Sequence, residues 1–426
     1  MPEEKTRSLR ALDLLNFCNA GIQTGLGPFM SIFYTAVRHW NPGQIGTLIA
    51  CQSLAGILVQ GLVGHWVDES HHKRIITGAA GLTVAAGAVG IVALPSYGLQ
   101  ILVQVVIGLA VTVFPAVTAA FALGMVEEGQ LSSRIARNET FTHSGNVMFA
   151  IAAGAVGTLL ALQGIFYAAA VFAAGMAVAV YFIQQQHVDY EAARAGGGGG
   201  ENGDTKRAST RDLFRDKRIL TFTAGVVLFY FANAATLPLV GEILTQGKKG
   251  RASAWQVAAS VVVAEVLMVV VAILCGKLAD KWGRKRLFLI GFAFLALRNG
   301  LTVVSHNEYY LISLQALDGV AMGIYGVLLT LITADLAKGT GRFNLLQGAV
   351  QSSMGLGGVL SNSLFGWVAK ALGFNVSFLG LAAVAVIGGT LWQFKMPETK
   401  PDEAKPQENG QSEEPQHNKA QPARAG

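Results

Sequence analysis

Long apolar stretches recur along this 426-residue chain and are separated by short polar breaks. Only 14% of the residues are charged, against about 25% in an average soluble domain. A helix needs about 20 mostly apolar residues to cross the hydrocarbon core of a bilayer. Twelve stretches approach this length, at roughly 11–36, 44–66, 75–95, 98–126, 140–162, 164–184, 218–244, 253–278, 287–305, 309–336, 345–371 and 375–395. The pattern predicts an all-α integral membrane protein with twelve transmembrane helices.

Two polar segments divide this pattern into domains. Residues 185–217 contain an unbroken glycine run, Gly196–Gly200, which predicts a flexible linker between two sets of six spans. Residues 396–426 are polar and contain Pro and Glu, which is typical of a disordered tail. We predict five parts: a short N-terminal segment (1–10), a first six-helix bundle (11–184), the linker (185–217), a second six-helix bundle (218–395) and the tail (396–426).

Lysine and arginine fall mainly in the turns on one side of the predicted bundle. If both termini are cytoplasmic, the cytoplasmic loops carry 18 of these residues and the outer loops carry 5. This bias follows the positive-inside rule. It predicts a multi-pass protein of the cell inner membrane with both termini cytoplasmic. The protein would contact the lipid bilayer, and it has no basic stripe of the kind that binds nucleic acid.

A short charged loop occurs twice, at a spacing of 212 residues, which indicates a duplicated bundle. Each copy opens at a Gly, has an Asp four residues on, and continues into a basic cluster. The first copy supplies Gly64, Asp68, Lys73 and Arg74, and the second supplies Gly276, Asp280, Gly283, Arg284 and Lys285. Two other matches have nearly the same spacing: Phe17–Ala20 with Phe231–Ala234, and Gln104 with Gln315.

The second loop resembles the Gly-x-Leu-Ala-Asp-Arg/Lys-x-Gly-Arg-Arg/Lys signature of the major facilitator superfamily. Together with the twelve spans, this resemblance covers residues 10–395. It implies the fold of that family, two pseudo-symmetric six-helix bundles, in a protein of the bacterial inner-membrane type. It also implies that Asp68 and Asp280 latch the cytoplasmic side in the outward-open state. The residues themselves also allow a plain turn in which the Asp caps a helix.

Three charged residues, Glu265, Arg298 and Asp318, lie deep within predicted spans. Such residues are costly in a bilayer and usually have partners. Glu265 and Arg298 are each 11 residues from the cytoplasmic edge of their span, so both lie roughly 16 Å deep. We predict that these two side chains meet across the hairpin between the eighth and ninth spans. Their role is either a coupling site that takes up a proton or cation, or a permanent structural ion pair.

Amide side chains lie on one face of several spans. Asn19 and Gln23 share a face of the first span, Asn233 has the matching position in the seventh, and Gln351 lies in the eleventh. In the family that the sequence resembles, these helices line a central cavity. We predict that the four amides line the substrate cavity and hydrogen-bond a polar substrate, with hydrogen bonds between helices as the alternative.

Two further patterns concern the shape of the spans and the contacts between them. Pro28, Pro115 and Pro238 predict kinks in the first, fourth and seventh spans. Glu139 and His143 share a face at the start of the fifth span. That pair predicts either a contact between helices or a pH-sensitive contact, and it lacks the spacing of a metal site.

Taken together, these patterns predict a secondary active transporter that moves a small polar or amphiphilic solute by alternating access, coupled to protons. The chain has no P-loop Gly-x-x-x-x-Gly-Lys-Ser/Thr, so ATP is not the direct driver. We predict no catalytic residue, no metal and no cofactor, and we expect a monomer. A membrane-embedded enzyme and a non-transporting membrane sensor are the alternative classes. The sequence leaves the substrate, and the choice between uptake by a permease and efflux, open.

Overall fold

The computed structural model describes residues 2–25, 27–70, 72–126, 128–184, 186, 188, 215–245, 251–337 and 343–399. All regular secondary structure in these residues is helical. The first half contains α1 (Pro2–Gly25), α2 (Pro28–Val37), α3 (Pro42–Glu69), α4 (Lys73–Ala93), α5 (Tyr97–Val111), α6 (Val113–Met125), α7 (Glu128–Leu159) and α8 (Leu162–Tyr181). The second half contains α9 (Lys217–Asn233), α10 (Thr236–Thr245), α11 (Arg251–Trp282), α12 (Arg284–Thr302), α13 (Glu308–Ala337), α14 (Phe343–Leu372) and α15 (Phe374–Lys395).

Three of the membrane passages are broken helices, as the prolines predict. The break between α1 and α2 comes directly before Pro28. Pro115 is the third residue of α6, and Pro238 is the third residue of α10. Proline removes a backbone hydrogen bond and clashes with the preceding turn, so a helix ends just before it. When each broken pair is counted once, the fifteen described helices make twelve passages. Most of the predicted linker and of the predicted tail lies outside the described residues.

Eight of these twelve passages are long and apolar enough to cross a membrane by length and composition. The other four are α1–α2, α7, α12 and α14. They fall short of that criterion because they carry more polar and charged residues, including Asn19, His143, Arg298 and Gln351. The polar passages are therefore also the ones that supply much of the candidate site described below.

Matched glycines show that the two halves are built alike. A Cβ at Gly108 would lie 2.2 Å from the carbonyl oxygen of Gln52, and one at Gly319 would lie 2.5 Å from that of Ala264. The two glycines are 211 residues apart in the sequence, and the residues they contact, Gln52 and Ala264, are 212 residues apart. Each glycine thus lets the fourth passage of its half touch the backbone of the second passage. The prediction of two related six-helix bundles is confirmed.

The halves meet along two seams, α3 with α14 and α7 with α11, and α2 packs on α10 at one end. We call the end that carries the two repeated loops the basic end, and the other the opposite end. At the opposite end a Cβ at Gly46 would lie 2.1 Å from the carbonyl oxygen of Asn362. One at Gly366 would lie 2.6 Å from the carbonyl oxygen of Pro42. Such backbone contacts close the seam at this end.

The same helices are less closely packed toward the basic end. A Cβ at Gly61 of α3, Gly276 of α11 or Gly348 of α14 would meet nothing within 4 Å. All three glycines are exposed. The two halves are therefore sealed against each other at the opposite end, and these three glycines near the basic end make no such contact.

Candidate substrate and coupling site

A buried ion pair lies at the centre of the second half. Arg298 of α12 is 1% exposed, and its Nη1 donates to Asp318 Oδ1 at 2.7 Å. The same nitrogen donates to Asn233 Oδ1 at 2.6 Å, and Nη2 donates to Gln315 Oε1 at 2.8 Å. The guanidinium thus binds one carboxylate and two amides, which come from two other passages. This arrangement compensates both buried charges and orders the predicted cavity residue Asn233.

The break between α9 and α10 positions Asn233 beside this ion pair. Asn299 Nδ2 donates to the carbonyl oxygen of Ala232 at 2.8 Å, and Thr236 Oγ1 donates to Asn299 Oδ1 at 2.9 Å. The backbone N–H of Ala235 donates to Ser361 Oγ at 2.9 Å. Neighbouring helices therefore satisfy backbone groups that the break releases from the helix.

The first half carries an amide and tyrosine network in place of the ion pair. Tyr34 OH donates to Gln100 Oε1 at 2.7 Å, and Gln104 Nε2 donates to Tyr34 OH at 3.2 Å. Gln104 Oε1 and Asn19 Oδ1 are buried without a partner among the described residues. A buried oxygen without a partner is unfavourable, and a donor group on a bound solute would satisfy it.

One contact joins the two halves through charged and polar side chains. Glu265 of α11 accepts from Asn146 Nδ2 at 2.8 Å, and its other oxygen lies 2.7 Å from His143 Nδ1. His143 and Asn146 belong to α7 of the first half. We call these three residues the seam clamp. The prediction that Glu265 meets Arg298 is therefore wrong, because equal depth does not fix the face of a helix, and Glu265 faces the other half.

The remaining predicted cavity residues have different surroundings. Asn19 is 7% exposed, and Gln351 is partly buried on α14. The side chain of Gln23 lies outside the described residues. Asn233 therefore has polar partners, and the side-chain oxygen of Asn19 has none among the described residues. No described contact defines a role for Gln351.

The first repeated loop contacts its own half through its basic residues. Lys73 is buried, and its Nζ donates to the carbonyl oxygens of Val67 and Ser70. Arg74 donates to the carbonyl oxygen of Val180 at 3.3 Å, at the end of α8. These bonds join the α3–α4 turn to the sixth passage. Gly64 belongs to α3, and the side chain of the predicted latch residue Asp68 lies outside the described residues.

The second repeated loop is tied to two further segments of its half. Gly283 has φ +84°, a conformation that glycine adopts without strain. Arg284 Nε donates to Asp335 Oδ2 at 3.2 Å, and its Nη1 donates to the carbonyl oxygen of Ala279 at 2.9 Å. Glu398 accepts from the backbone N–H groups of Arg284 at 2.8 Å and Lys285 at 3.2 Å, which stabilises the start of α12.

For this loop too, the latch prediction remains a prediction. The side chain of Asp280 lies outside the described residues, and Gly276 is exposed on α11. The described contacts of Arg284 and Lys285 stay within the second half. They hold α11, α12, α13 and the segment after α15 together at the basic end.

Sequence reasoning missed a charged cluster between α1 and α7 near the basic end. Asp13 is 4% exposed and pairs with Arg134, and Arg137 Nη2 donates to Asp13 Oδ2 at 2.8 Å. Arg134 Nε also donates to Asn138 Oδ1 at 2.8 Å. Asp13 lies inside an otherwise apolar stretch, so the rule applied to Glu265 would have identified it. Its partners Arg134 and Arg137 fall where the sequence predicts a cytoplasmic loop.

These features define a class: a polytopic α-helical membrane protein whose two related halves meet at polar and charged side chains and are sealed against each other at one end. The family model of the Major Facilitator Superfamily matches residues 12–265 and 222–424. The chain belongs to this superfamily and is therefore a membrane transporter.

Relatives and solved structures agree with this assignment. Uncharacterized MFS-type transporters from two strains of Mycobacterium tuberculosis are 38% identical over 397 residues, covering 92% of this chain and 94% of theirs. The multidrug transporter protein MdtP of Bacillus subtilis is 26% identical over 180 residues, covering 41% of this chain and 32% of its own.

Among solved structures, the nucleoside transporter NupG has a TM-score of 0.72 at 12% identity, covering 91% of this chain and 98% of its own. A bacterial homolog to the human lysosomal transporter Spinster has a TM-score of 0.72 at 12% identity, covering 91% of this chain and 96% of its own, in an inward-facing and unoccupied conformation. At these identities the likeness shows the fold alone.

Proposed function

We propose that this chain is a proton-coupled secondary transporter that moves a small polar or amphiphilic solute across the cytoplasmic membrane by alternating access. The observation that carries this proposal is the seam clamp, in which Glu265 of one half is held by His143 and Asn146 of the other. A carboxylate held between two moving halves can link its own protonation to their relative position. Protonation of Glu265 removes its charge and weakens the clamp, so the proton helps to open the seam.

The positive-inside bias supports a cytoplasmic location for the basic end. With this orientation the sealed opposite end faces outward, and Gly61, Gly276 and Gly348, which have no close neighbour, lie toward the cytoplasm. The structure then represents an inward-facing state. In the outward-facing state we expect Asp68 and Asp280 to latch the basic end, as the family resemblance implies.

The chemistry of the polar side chains favours a solute without large net charge. The Arg298 and Asp318 charges neutralise each other, and the other two partners of the guanidinium, Asn233 and Gln315, are neutral amides. Asn19 adds an unpartnered carbonyl oxygen, which is an acceptor for a hydroxyl or amine donor. A nucleoside fits these properties, as does an amphiphilic compound with one polar group.

The test is flux through purified protein in vesicles of bacterial lipid. A thermal-shift screen of nucleosides, other metabolites and amphiphilic drugs selects the solute, and its uptake is then followed with and without an imposed pH gradient. We expect accumulation against the solute gradient, lost when a protonophore collapses the pH gradient, while exchange of labelled for unlabelled solute continues. Binding or hydrolysis without flux would contradict transport, and accumulation that ignores the protonophore would contradict proton coupling.

A further inference from the structure

Glu242 is a buried carboxyl group at the opposite end of the molecule. It lies near the end of α10 and is 2% exposed. Among the described residues it has neither a hydrogen bond nor an ion pair. The buried charges Asp13, Arg284 and Arg298 all have a partner of opposite charge. Glu242 therefore differs from them, because no ion pair with a described residue accounts for its burial.

The surroundings of Glu242 form a small cleft between the halves. α3 contributes Pro42, Ile45, Gly46 and Ile49, α14 contributes Asn362 and Gly366, and Ala235, Pro238 and Leu239 complete it. Most of this lining is apolar. The Asn362 side-chain nitrogen already donates to the carbonyl oxygen of Gly358 at 2.9 Å. The cleft thus gives a carboxylate little polar compensation.

The cleft coincides with the closed seam. The backbone contacts at Gly46 and Gly366 that seal the opposite end also form walls of this cleft. The wall formed by α3 belongs to the first half, and the walls formed by α10 and α14 belong to the second half. Any movement that opens this end separates α3 from α10 and α14, and it exposes Glu242 to water.

Among the described residues, no neighbouring charge compensates the Glu242 carboxyl group. The helices that pack on α10 or line the cleft carry other titratable or charged side chains, and no described one forms a hydrogen bond or an ion pair with Glu242. At this end and in the middle of these helices, with the α2–α3 turn included, they are Tyr34, Arg38, His39, Cys51, Tyr230, Glu265 and Lys370. Residues 246–250 and the side chain of Arg251 lie outside the described residues. Burying an isolated carboxylate is far less favourable than burying the neutral acid.

We propose that Glu242 is a proton-binding gate residue, which holds a proton while the opposite end is sealed and releases it when that end opens. The inference rests on the proposed alternating-access cycle, and it adds a second protonation site distinct from Glu265. By linkage, acid conditions favour the sealed state because only that state needs the proton, and alkaline conditions favour opening. In the proposed orientation this gate faces the outside of the cell.

The test is the width of the opposite end as a function of pH. Spin labels at Leu160 and Val304, which are 66% and 72% exposed and lie in turns of different halves at this end, report the distance between the halves. The native cysteines Cys18, Cys51 and Cys275 are first replaced by alanine. Distances are measured by double electron–electron resonance in nanodiscs.

In the wild-type background we expect the long-distance population to rise at least about fivefold between about pH 5 and pH 9, because the exposed carboxyl group of the open state is ionised throughout this range while the sealed state has to keep its proton. Glu242→Gln, which resembles the protonated acid, should keep this population low at every pH. In Glu242→Asp the long-distance population should still rise with pH, with its midpoint at a different pH. Glu308→Gln, a matched change of a carboxyl group at the same end, should titrate like the wild type.

Three results would overturn the inference. They are a wild-type distance that does not change with pH, a Glu242→Gln protein that titrates like the wild type, and a width set by sodium concentration at constant pH. If Glu242→Gln does not fold, labelling of the wild type by a hydrophobic carbodiimide, which attacks protonated carboxyl groups, decides the matter. Glu242 should react at acid pH, and an unlabelled Glu242 at acid pH would contradict its protonation.

The outcome is separate from the test of the proposed function. Proton-driven flux in the wild type together with a pH-independent gate would remove only the role of Glu242. Conversely, a pH-dependent gate without any flux would leave the gate residue in place and remove proton-coupled transport.

Discussion

The two halves share a framework of helices but join their third and fourth passages differently. In the first half, a Cβ at Gly87 of α4 would lie 2.5 Å from Ile107 of α5, so the two helices pack closely through apolar atoms. The positions 211 residues later are Arg298 and Asp318, which form the buried ion pair. The same contact is thus apolar in one half and ionic in the other. The framework fixes where helices touch, and the side chains decide what the contact does.

The matched glutamines show the same difference. Gln104 donates to Tyr34 of its own half, whereas Gln315 accepts from Arg298. The two seams between the halves also differ. Glu265 lies on the α7–α11 seam, and the residue 212 positions earlier, on the α3–α14 seam, is Ser53. The α7–α11 seam therefore carries a titratable contact at a position where the α3–α14 seam has a hydroxyl.

The largest effect is expected from a substitution that breaks the ion pair of the second half. Asp318→Ala leaves Arg298 buried without its carboxylate, which should lower the free energy of unfolding by about 3–5 kcal/mol. The double change Arg298→Gly, Asp318→Ile introduces the residue types that the first half has at Gly87 and Ile107. It should recover at least half of the lost free energy of unfolding. Unfolding in mild detergent measures both variants. If the double variant is as unstable as Asp318→Ala, an uncompensated charge is not the cause.

A second prediction tests the part of the framework that the halves share. Gly108→Ala and Gly319→Ala each force a methyl group against a backbone carbonyl of the second passage, which should cost about 1–3 kcal/mol in either half. Gly348→Ala is the matched control, because its Cβ meets nothing within 4 Å. Thermal unfolding of the three variants measures the difference. A loss confined to one half would contradict equivalent packing.

The smallest expected effect concerns two helix starts, one in each half. Asn41 caps α3 by accepting from the backbone N–H of Gln44 at 3.0 Å, and Asp216 caps α9 by accepting from that of Arg218 at 2.8 Å. Replacing either cap by Ala should cost about 1 kcal/mol at pH 7. Hydrogen bonding to Arg218 holds the pKa of Asp216 below its ordinary value.

The two caps should respond differently to acid. A lowered pKa means that the contribution of Asp216 is present above its ordinary pKa and is lost as the pH falls toward the lowered value. The penalty of Asp216→Ala should therefore shrink in acid, while that of Asn41→Ala stays constant. Chemical unfolding of the two variants from neutral to acid pH checks this difference. Equal pH profiles would show that the Asp216 charge does not act at the helix start.

The sequence was sufficient for the fold because its main signals are local. Apolar length predicts the twelve passages, the repeated loop predicts the duplication, and Pro28, Pro115 and Pro238 predict the three breaks. The site was less predictable. Depth along a helix follows from counting residues, but the direction of a side chain depends on how the helix is rotated against its neighbours. For this reason the sequence identified Glu265 and Arg298 as buried charges and paired them wrongly.

We propose that the charged α7–α11 seam couples proton binding to movement of the halves. The decisive measurement compares Glu265→Gln with Glu139→Gln, an exposed glutamate one helical turn from His143, in vesicles under an imposed pH gradient. We predict that Glu265→Gln abolishes proton-driven accumulation and retains solute exchange, while Glu139→Gln behaves like the wild type. Accumulation that survives intact in Glu265→Gln would contradict the account.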